Sequence, residues 1–213
     1  MLFFLPKTIE TRESPVNGRI TVSKLFGSYS IHAGGFTQSG GLVRSIWRKA
    51  VKTLANNGGS RKDILILGLG AGSAAKEIAR IWPEARMIGV ELDPLMIELG
   101  KRYFALQKIP QLTIVKGDAF HWVFHRTKSW RSRFDCILCD LYVGGEVPQK
   151  SMQGPFLTAL RELLINNGVL LVNHLIKQGE KGQVNLLEVK LSSVFAHVER
   201  IPTPANIVFS ARK

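Results

Sequence analysis

The sequence predicts an α/β fold: a doubly wound, seven-stranded, mostly parallel sheet, preceded by an N-terminal β-hairpin or meander. Three observations predict it. After residue 60, short and uniformly apolar strand patterns alternate with helical ones, the arrangement of a parallel sheet covered on both faces. The last two strand patterns are joined only by residues 202–205, too few for a parallel crossover, so that pair is expected to be antiparallel. Before residue 41 the pattern differs, with Asn17-Gly18 and Gly27-Ser28 punctuating short alternating runs.

Taken in order, residues 1–13 show no clear period, and Met1-Leu2-Phe3-Phe4-Leu5-Pro6 reads as a packed arm. Arg19-Ile20-Thr21-Val22 and Tyr29-Ser30-Ile31-His32 alternate as hairpin strands, and Gly40-Gly41 closes the region. Leu42, Val43, Ile46, Trp47, Ala50, Val51 and Leu54 then form a helical stripe, with Arg44, Arg48, Lys49 and Lys52 on the other face. Beyond the loop at 56–60, strands are expected near 64–68, 86–91, 112–116, 134–140, 168–174, 197–201 and 206–211. Helices are expected near 73–81, 94–104, 119–127, 153–165 and 184–194. The division that follows is a β region at 1–41 and an α/β domain at 42–213.

With 213 residues, 45% hydrophobic and 21% charged, the chain has the composition of a globular domain, and wholesale disorder is excluded. No apolar run approaches the ~18 residues of a membrane helix, and the apolar start is too short for a signal peptide. The expectation is a soluble, cytoplasmic protein without membrane contact. Lys plus Arg is 29 against 16 acids, a net charge of +13, and residues 1–62 hold 10 of the bases but only 2 of the acids. Such a field favours anionic partners, RNA or DNA among them, and disfavours a cationic substrate; solubility alone would also account for it. Cys136 and Cys139 lie three apart on one expected strand, so their thiols face opposite sides of the sheet and cannot share a tetrahedral metal. They read as small core residues, no metal is expected, and no second pair suggests a disulfide framework.

The first strand of the α/β region runs into Gly68-Leu69-Gly70-Ala71-Gly72-Ser73 and then a helix. Glycines there let the backbone turn tightly and let a ligand lie against it. Glu91 lies 21 residues after Gly70 at the end of the second strand, where an acid can hold both hydroxyls of a ribose. Asp118 follows the third strand and Asp140 the fourth. Carboxyl ends of parallel strands line one crevice, so four consecutive strands each deliver a candidate to it. Plainer readings stand beside these: helix packing for the glycines, helix-terminus complementarity for Glu91, capping of the helix from Ala119 for Asp118. Asp140 has no such reading, because a carboxylate leaving a sheet needs a partner or a task. Ser73 occupies the place of a third dinucleotide-binding glycine, so the spacing suits S-adenosylmethionine (AdoMet) or a relative.

Gly68–Glu77, Val90-Glu91-Leu92-Asp93-Pro94, Lys101-Arg102-Tyr103-Phe104, Gly117-Asp118-Ala119 and Phe134–Asp140 together resemble the spermidine synthase family. The resemblance implies a Rossmann-like, class I AdoMet-dependent methyltransferase fold behind an N-terminal β-domain, a homodimer, and aminopropyl transfer from decarboxylated AdoMet. It implies that Gly68, Gly70 and Gly72 pass under the nucleoside, that Glu91 binds the ribose, and that Asp118 with Ala119 meets the adenine. Asp140 matches the acid facing the reacting amine, and Gln38 a donor-site glutamine. Three positions and one segment depart from the pattern. Ala71 stands where an acid holds the donor's amine, Val143 where a second acid helps bind the polyamine, and Asn173 where a glutamine is usual; Ser39-Gly40-Gly41-Leu42-Val43-Arg44 replaces an acidic and aromatic segment.

A desolvated polycation needs each ammonium paired, so these losses beside a basic flank disfavour polyamine binding. The reading that follows is a spermidine-synthase-like transferase using AdoMet for methyl transfer to a neutral or anionic acceptor, with Asp140 catalytic. A second reading keeps aminopropyl transfer from decarboxylated AdoMet, with Tyr142 and Glu146 as candidates on a lid at 141–154. A third is a non-catalytic nucleic-acid or partner-binding protein, in which Arg126, Lys128, Arg131 and Arg133 interleave with Trp122, Phe124 and Trp130. Those aromatics equally read as the buried face of a helix. His32, His174 and His197 read as strand or core residues.

Overall fold

A computed structural model of the chain describes residues 5–176 and 181–213. The N-terminal region is a four-stranded antiparallel meander of β1 (Lys7–Ser14), β2 (Gly18–Leu25), β3 (Ser28–Ala33) and β4 (Phe36–Ser39), in that spatial order. β1 corrects the expectation of an unpatterned start: it pairs with β2 from Lys7 opposite Lys24 to Ser14 opposite Gly18. Nearly all its side chains are exposed, so no alternation betrays it. Residues 1–4 of the expected arm lie outside the described residues, and Leu5 is exposed.

The remainder is a helix, α1 (Gly41–Asn56), followed by β5 (Asp63–Leu67), α2 (Ser73–Ile81), β6 (Arg86–Glu91), α3 (Pro94–Phe104), β7 (Leu112–Lys116), α4 (Ala119–Arg126) and β8 (Phe134–Cys139). Then come α5 (Gly154–Leu163), β9 (Leu164–Leu175), α6 (Lys181–Ser192), β10 (His197–Pro202) and β11 (Asn206–Arg212). The seven strands lie in the order β10-β11-β9-β8-β5-β6-β7. Neighbours from β9 to β7 are parallel, and β11 runs antiparallel to both β9 and β10, as its short connection requires. β9 starts four residues earlier than expected, because α5 passes into it without a loop.

Alternation along the strands feeds two cores. Ile64, Ile66, Cys136 and Leu138 face α1 and α2, where Trp47 and Ile78 are fully buried. Leu65, Leu67, Ile137 and Cys139 face the other side, against Phe156, Leu160 and Leu187. The two cysteines therefore point into different cores, and burial pushes both thiols up to about 12. A third cluster joins the meander to α3 through Ile20, Val22, Ile31, Leu95, Met96 and Leu99. Asp93 pins that joint: it caps α3 through the Leu95 N–H (2.9 Å), and its other oxygen accepts from Ser14 Oγ (2.6 Å) and Asn17 Nδ2 (2.7 Å).

The polar face of α1 finds its complement in α2. Glu77 is fully buried, and Arg44 (2.6 Å), Arg48 (3.2 Å) and Arg80 (3.1 Å) converge on its carboxylate while their own side chains stay about half exposed. Burial works to raise the Glu77 carboxyl, and the hydrogen bonds from Arg48, Arg44 and Arg80 outweigh it, leaving it below its ordinary value. A depressed carboxylate contributes stability above its unfolded pKa and loses it as pH falls through the folded one. Glu77→Gln is therefore expected to cost about 1–3 kcal/mol at pH 7, the guanidiniums being free to turn to solvent. Urea titrations at pH 7 and below pH 4 check this: the wild-type advantage should shrink in acid.

Candidate functional site

A cavity of about 650 Å³ opens along the carboxyl edge of the large sheet, roofed by the meander and the start of α1. That size suits a small-molecule ligand. Strand order sets the sequence of its wall: Gly117, Asp118 and Ala119 after β7, Glu91 on β6, Gly68–Gly70 after β5, Asp140 after β8, Asn173 and Leu175 on β9, and Asn206 on β11. The crevice is centred where connections leave β5 and β8 in opposite directions, the switch point of a doubly wound sheet.

The glycines divide between two tasks. Gly68, at φ +82°, lies so close to β8 that a Cβ would meet the Asp140 carbonyl oxygen at 2.1 Å. Gly70 N–H donates to Glu91 Oε2 (2.7 Å), tying the turn to the end of β6. Gly72, at φ +90°, opens α2 but lies outside the cavity wall; a Cβ there would strike Leu106 Cδ1 at 2.5 Å. The packing reading thus applies to Gly72, whereas Gly68 and Gly70 form wall.

Glu91 is nearly buried, and its second oxygen accepts from the Asp93 N–H (2.9 Å). Burial and the neighbouring Asp93 charge raise its carboxyl above the ordinary value, against the lowering effect of these backbone donors. Asp118 caps α4 through the His121 N–H (2.7 Å) and lines the cavity together with Ala119, so both readings of that residue coexist. Gln38 lines the cavity too, but its Nε2 donates to the Gly144 carbonyl.

Asp140 occupies the middle of the wall. Oδ2 accepts from Trp47 Nε1 and Oδ1 from Asn173 Nδ2, each at 2.8 Å. Asn173 is oriented in turn by Asn206, whose Nδ2 donates to Asn173 Oδ1 (2.7 Å). Burial raises the Asp140 carboxyl, and the bonds from Asn173 and Trp47 oppose the rise. Trp47 had been legible only as part of an apolar stripe, and Asn206 carried no signal; nothing in local spacing points to a partner 93 or 33 residues away.

The positions that depart from the resemblance fall as follows. Ala71 is fully buried, belongs to the meander–α3 core and lies outside the wall. Its N–H donates to Ser39 Oγ (3.1 Å), which gives the replaced segment a structural task. Val143 lines the cavity and is partly exposed. Tyr142 also lines it, donating to the Asn173 carbonyl (3.2 Å), and burial pushes its hydroxyl well above the ordinary value. Glu146 is exposed, lies outside the wall, and pairs with Val143 through the backbone. Lys150, on a short 3-10 turn at Gln149–Met152, is a wall residue that the sequence did not single out.

The basic and aromatic segment lies elsewhere. Trp122 and Trp130 pack edge-on against each other and against the core, and Arg126 and Arg133 cover the Trp130 ring at 5.4 and 5.1 Å. Its ring is thus already in contact with two cations of the chain itself. Among the described residues no group of three His, Cys, Asp or Glu side chains converges as metal ligands, and no helix is long and apolar enough to cross a membrane.

Comparison with known proteins adds the following. A family model described as the spermine/spermidine synthase domain matches residues 49–208. The polyamine aminopropyltransferase of Vibrio vulnificus is 36% identical over 110 residues, which make up 52% of this chain and 36% of that protein. The eEF1A lysine and N-terminal methyltransferase homolog of Drosophila melanogaster is 30% identical over 118 residues, 53% of this chain and 17% of that one. Both matches thus span well under half of the relative. A probable spermidine synthase from Corynebacterium glutamicum superposes with a TM-score of 0.75 at 21% identity, covering 99% of this chain and 81% of that one, a likeness of fold.

Two hydrogen bonds tie the roof to the loop after β8: Gln38 to the Gly144 carbonyl, and the Gly144 N–H to Asn17 Oδ1 (3.1 Å). Gln38→Ala is expected to speed amide exchange of residues 142–146 while leaving β5 and β8 as protected as before. Hydrogen–deuterium exchange resolved by mass spectrometry checks it.

Proposed function

The chain belongs to the spermine/spermidine synthase family, and from that premise we propose that it is a transferase that binds AdoMet and passes its methyl group to a neutral or anionic acceptor. The observation that carries this reading is the distribution of charge along the wall. Glu91 and Asp118 stand beyond Gly68 toward β7, on the side suited to a nucleoside; among the described residues the strand ends toward β9 and β11 supply Asn173, Leu175 and Asn206 to the wall and no acid beyond Asp140.

The wall fits a sulfonium nucleoside. Glu91, fixed by two backbone donors, keeps lone pairs for vicinal hydroxyls, and the turn at Gly68–Gly70 presents backbone without side chains. A bound sulfonium donor supplies an electrophilic carbon whose bond to sulfur breaks, with its electron pair, as a nucleophile attacks in line. Asp140 takes the proton that the nucleophile releases. Trp47 and Asn173 hold that carboxylate in one orientation.

Aminopropyl transfer is the second reading, favoured by the identity to the Vibrio aminopropyltransferase. It requires acids that pair with amines. Ala71 is buried away from the wall, Val143 is apolar, and Glu146 lies outside the cavity, so among these described positions the task would fall to Asp140.

In calorimetric titrations AdoMet is expected to bind at least about tenfold more tightly than decarboxylated AdoMet, the difference being one carboxylate and its hydrogen bonds. The reverse order would establish the aminopropyl reading. Asp140→Asn should leave AdoMet affinity within about threefold and lower turnover by about 10²-fold or more, followed as S-adenosylhomocysteine release with a small-molecule cell extract as acceptor source. Because burial raises Asp140 and the charged form is the base, turnover should fall with acidification through a midpoint above the usual aspartate value of about 3.9.

A further inference from the structure

We propose that the exposed face shared by α1 and α2 docks the phosphate backbone of double-stranded nucleic acid, a role that does not rest on the transferase reading. The sequence holds no acid between Glu13 and Asp63. The fold gathers much of that basic stretch on one surface: α1 carries Arg44, Arg48, Lys49 and Lys52, all exposed, and the adjoining α2 adds Lys76 and Arg80. Across the two helices six cations stand against one carboxylate, that of Glu77, and Glu77 is fully buried. Neither helix therefore exposes an acid. Arg44, Arg48 and Lys52 recur every fourth residue, so they form a ridge that advances about 6 Å per step.

The ion pairs with Glu77 leave most of the guanidinium donors unused. Arg44 and Arg80 donate to it from Nε alone, which keeps their terminal nitrogens for another anion, and Arg48 donates from Nε and one terminal nitrogen. Glu77 thus orients three forks of the kind that fit phosphate. Lys49 and Lys52 enter no ion pair among the described residues. Burial, and then the Arg44 charge, lower the Lys76 ammonium; the second is a crowding of like charges that an arriving phosphate relieves. Other anionic partners fit this face less well. The apolar stripe of α1 is buried in the core, and among the described residues Leu42 is the one exposed large hydrophobic on either helix, too little to insert into a lipid surface. Trp47, the sole aromatic of the two helices, is buried, so the face offers neither the aromatic anchors of a protein interface nor a platform for unpaired bases. A duplex presents phosphates outward and asks for neither. The net charge of +13 steers the same class of partner toward the protein.

The test is fluorescence anisotropy of the full chain with short labelled duplexes of two unrelated sequences. Both should bind alike, and affinity should fall about 10²-fold between about 50 and 200 mM salt, as neutralisation of four or five phosphates requires. Lys49→Gln combined with Lys52→Gln changes two exposed helical positions, leaves the partners of Glu77 in place, and should cut that fall about tenfold by removing two contacts. Arg126→Gln combined with Lys128→Gln removes the same charge from the basic segment that ends α4, and should leave affinity and its salt response within about twofold of the original. Four results overturn the proposal: no binding at about 50 mM salt, an effect of the second pair as large as that of the first, a preference above about tenfold for one sequence, or phosphatidylserine vesicles or polyglutamate held as tightly as the duplexes.

Discussion

The site is organised by one half-buried carboxylate. Asp140 ends β8 against β5, its N–H donating to the Leu67 carbonyl (2.8 Å) and its own carbonyl pressed so close to Gly68 that no side chain fits there. Its side chain takes one hydrogen bond from α1 through Trp47 and one from β9 through Asn173. A buried carboxylate left without donors would cost several kcal/mol or stay protonated, so these two contacts keep the anion available. The same two contacts require α1 to lie across the sheet end and β11 to deliver Asn206 behind Asn173. The position of this carboxylate and the packing of three layers are therefore one constraint.

The meander turns that edge into an enclosed site. Its core against α3 is apolar, but its register is fixed by polar contacts of Ser14 and Asn17 with Asp93. Asn17 and Gln38 then grip both sides of Gly144. Roof, α3 cap and the loop after β8 are thus tied through a handful of side chains. Of the positions that depart from the family pattern, Ala71 serves packing, and the segment at 39–44 uses Ser39 to hold the glycine turn.

Much of this was legible in the sequence because strands buried on both faces announce themselves and their ends must converge. Gly68, Gly70, Glu91, Asp118, Ala119, Asp140 and Gln38 all reach the cavity wall, and Gly72 does not. The exception has a physical cause: a glycine in a turn is marked alike by ligand approach and by a neighbour's side chain, here Leu106. β1 was silent because a strand exposed on both faces has no period. Trp47 and Asn206 were silent because their meaning lies in hydrogen bonds to residues far away along the chain, which apolar patterning does not encode. Lys150 is silent because a single lysine on a polar turn looks like any solvated residue.

Titrating the Asp140 carboxyl directly, by carbon-13 NMR of protein labelled at aspartate Cγ with Asp140→Asn to assign the resonance, probes the account at its centre. The account predicts one midpoint above the ordinary aspartate value, moving higher still in Trp47→Phe as one of its two donors is lost. A midpoint at or below the ordinary value would mean a solvated or cation-paired carboxylate, and would contradict both the burial of Asp140 and the base proposed there.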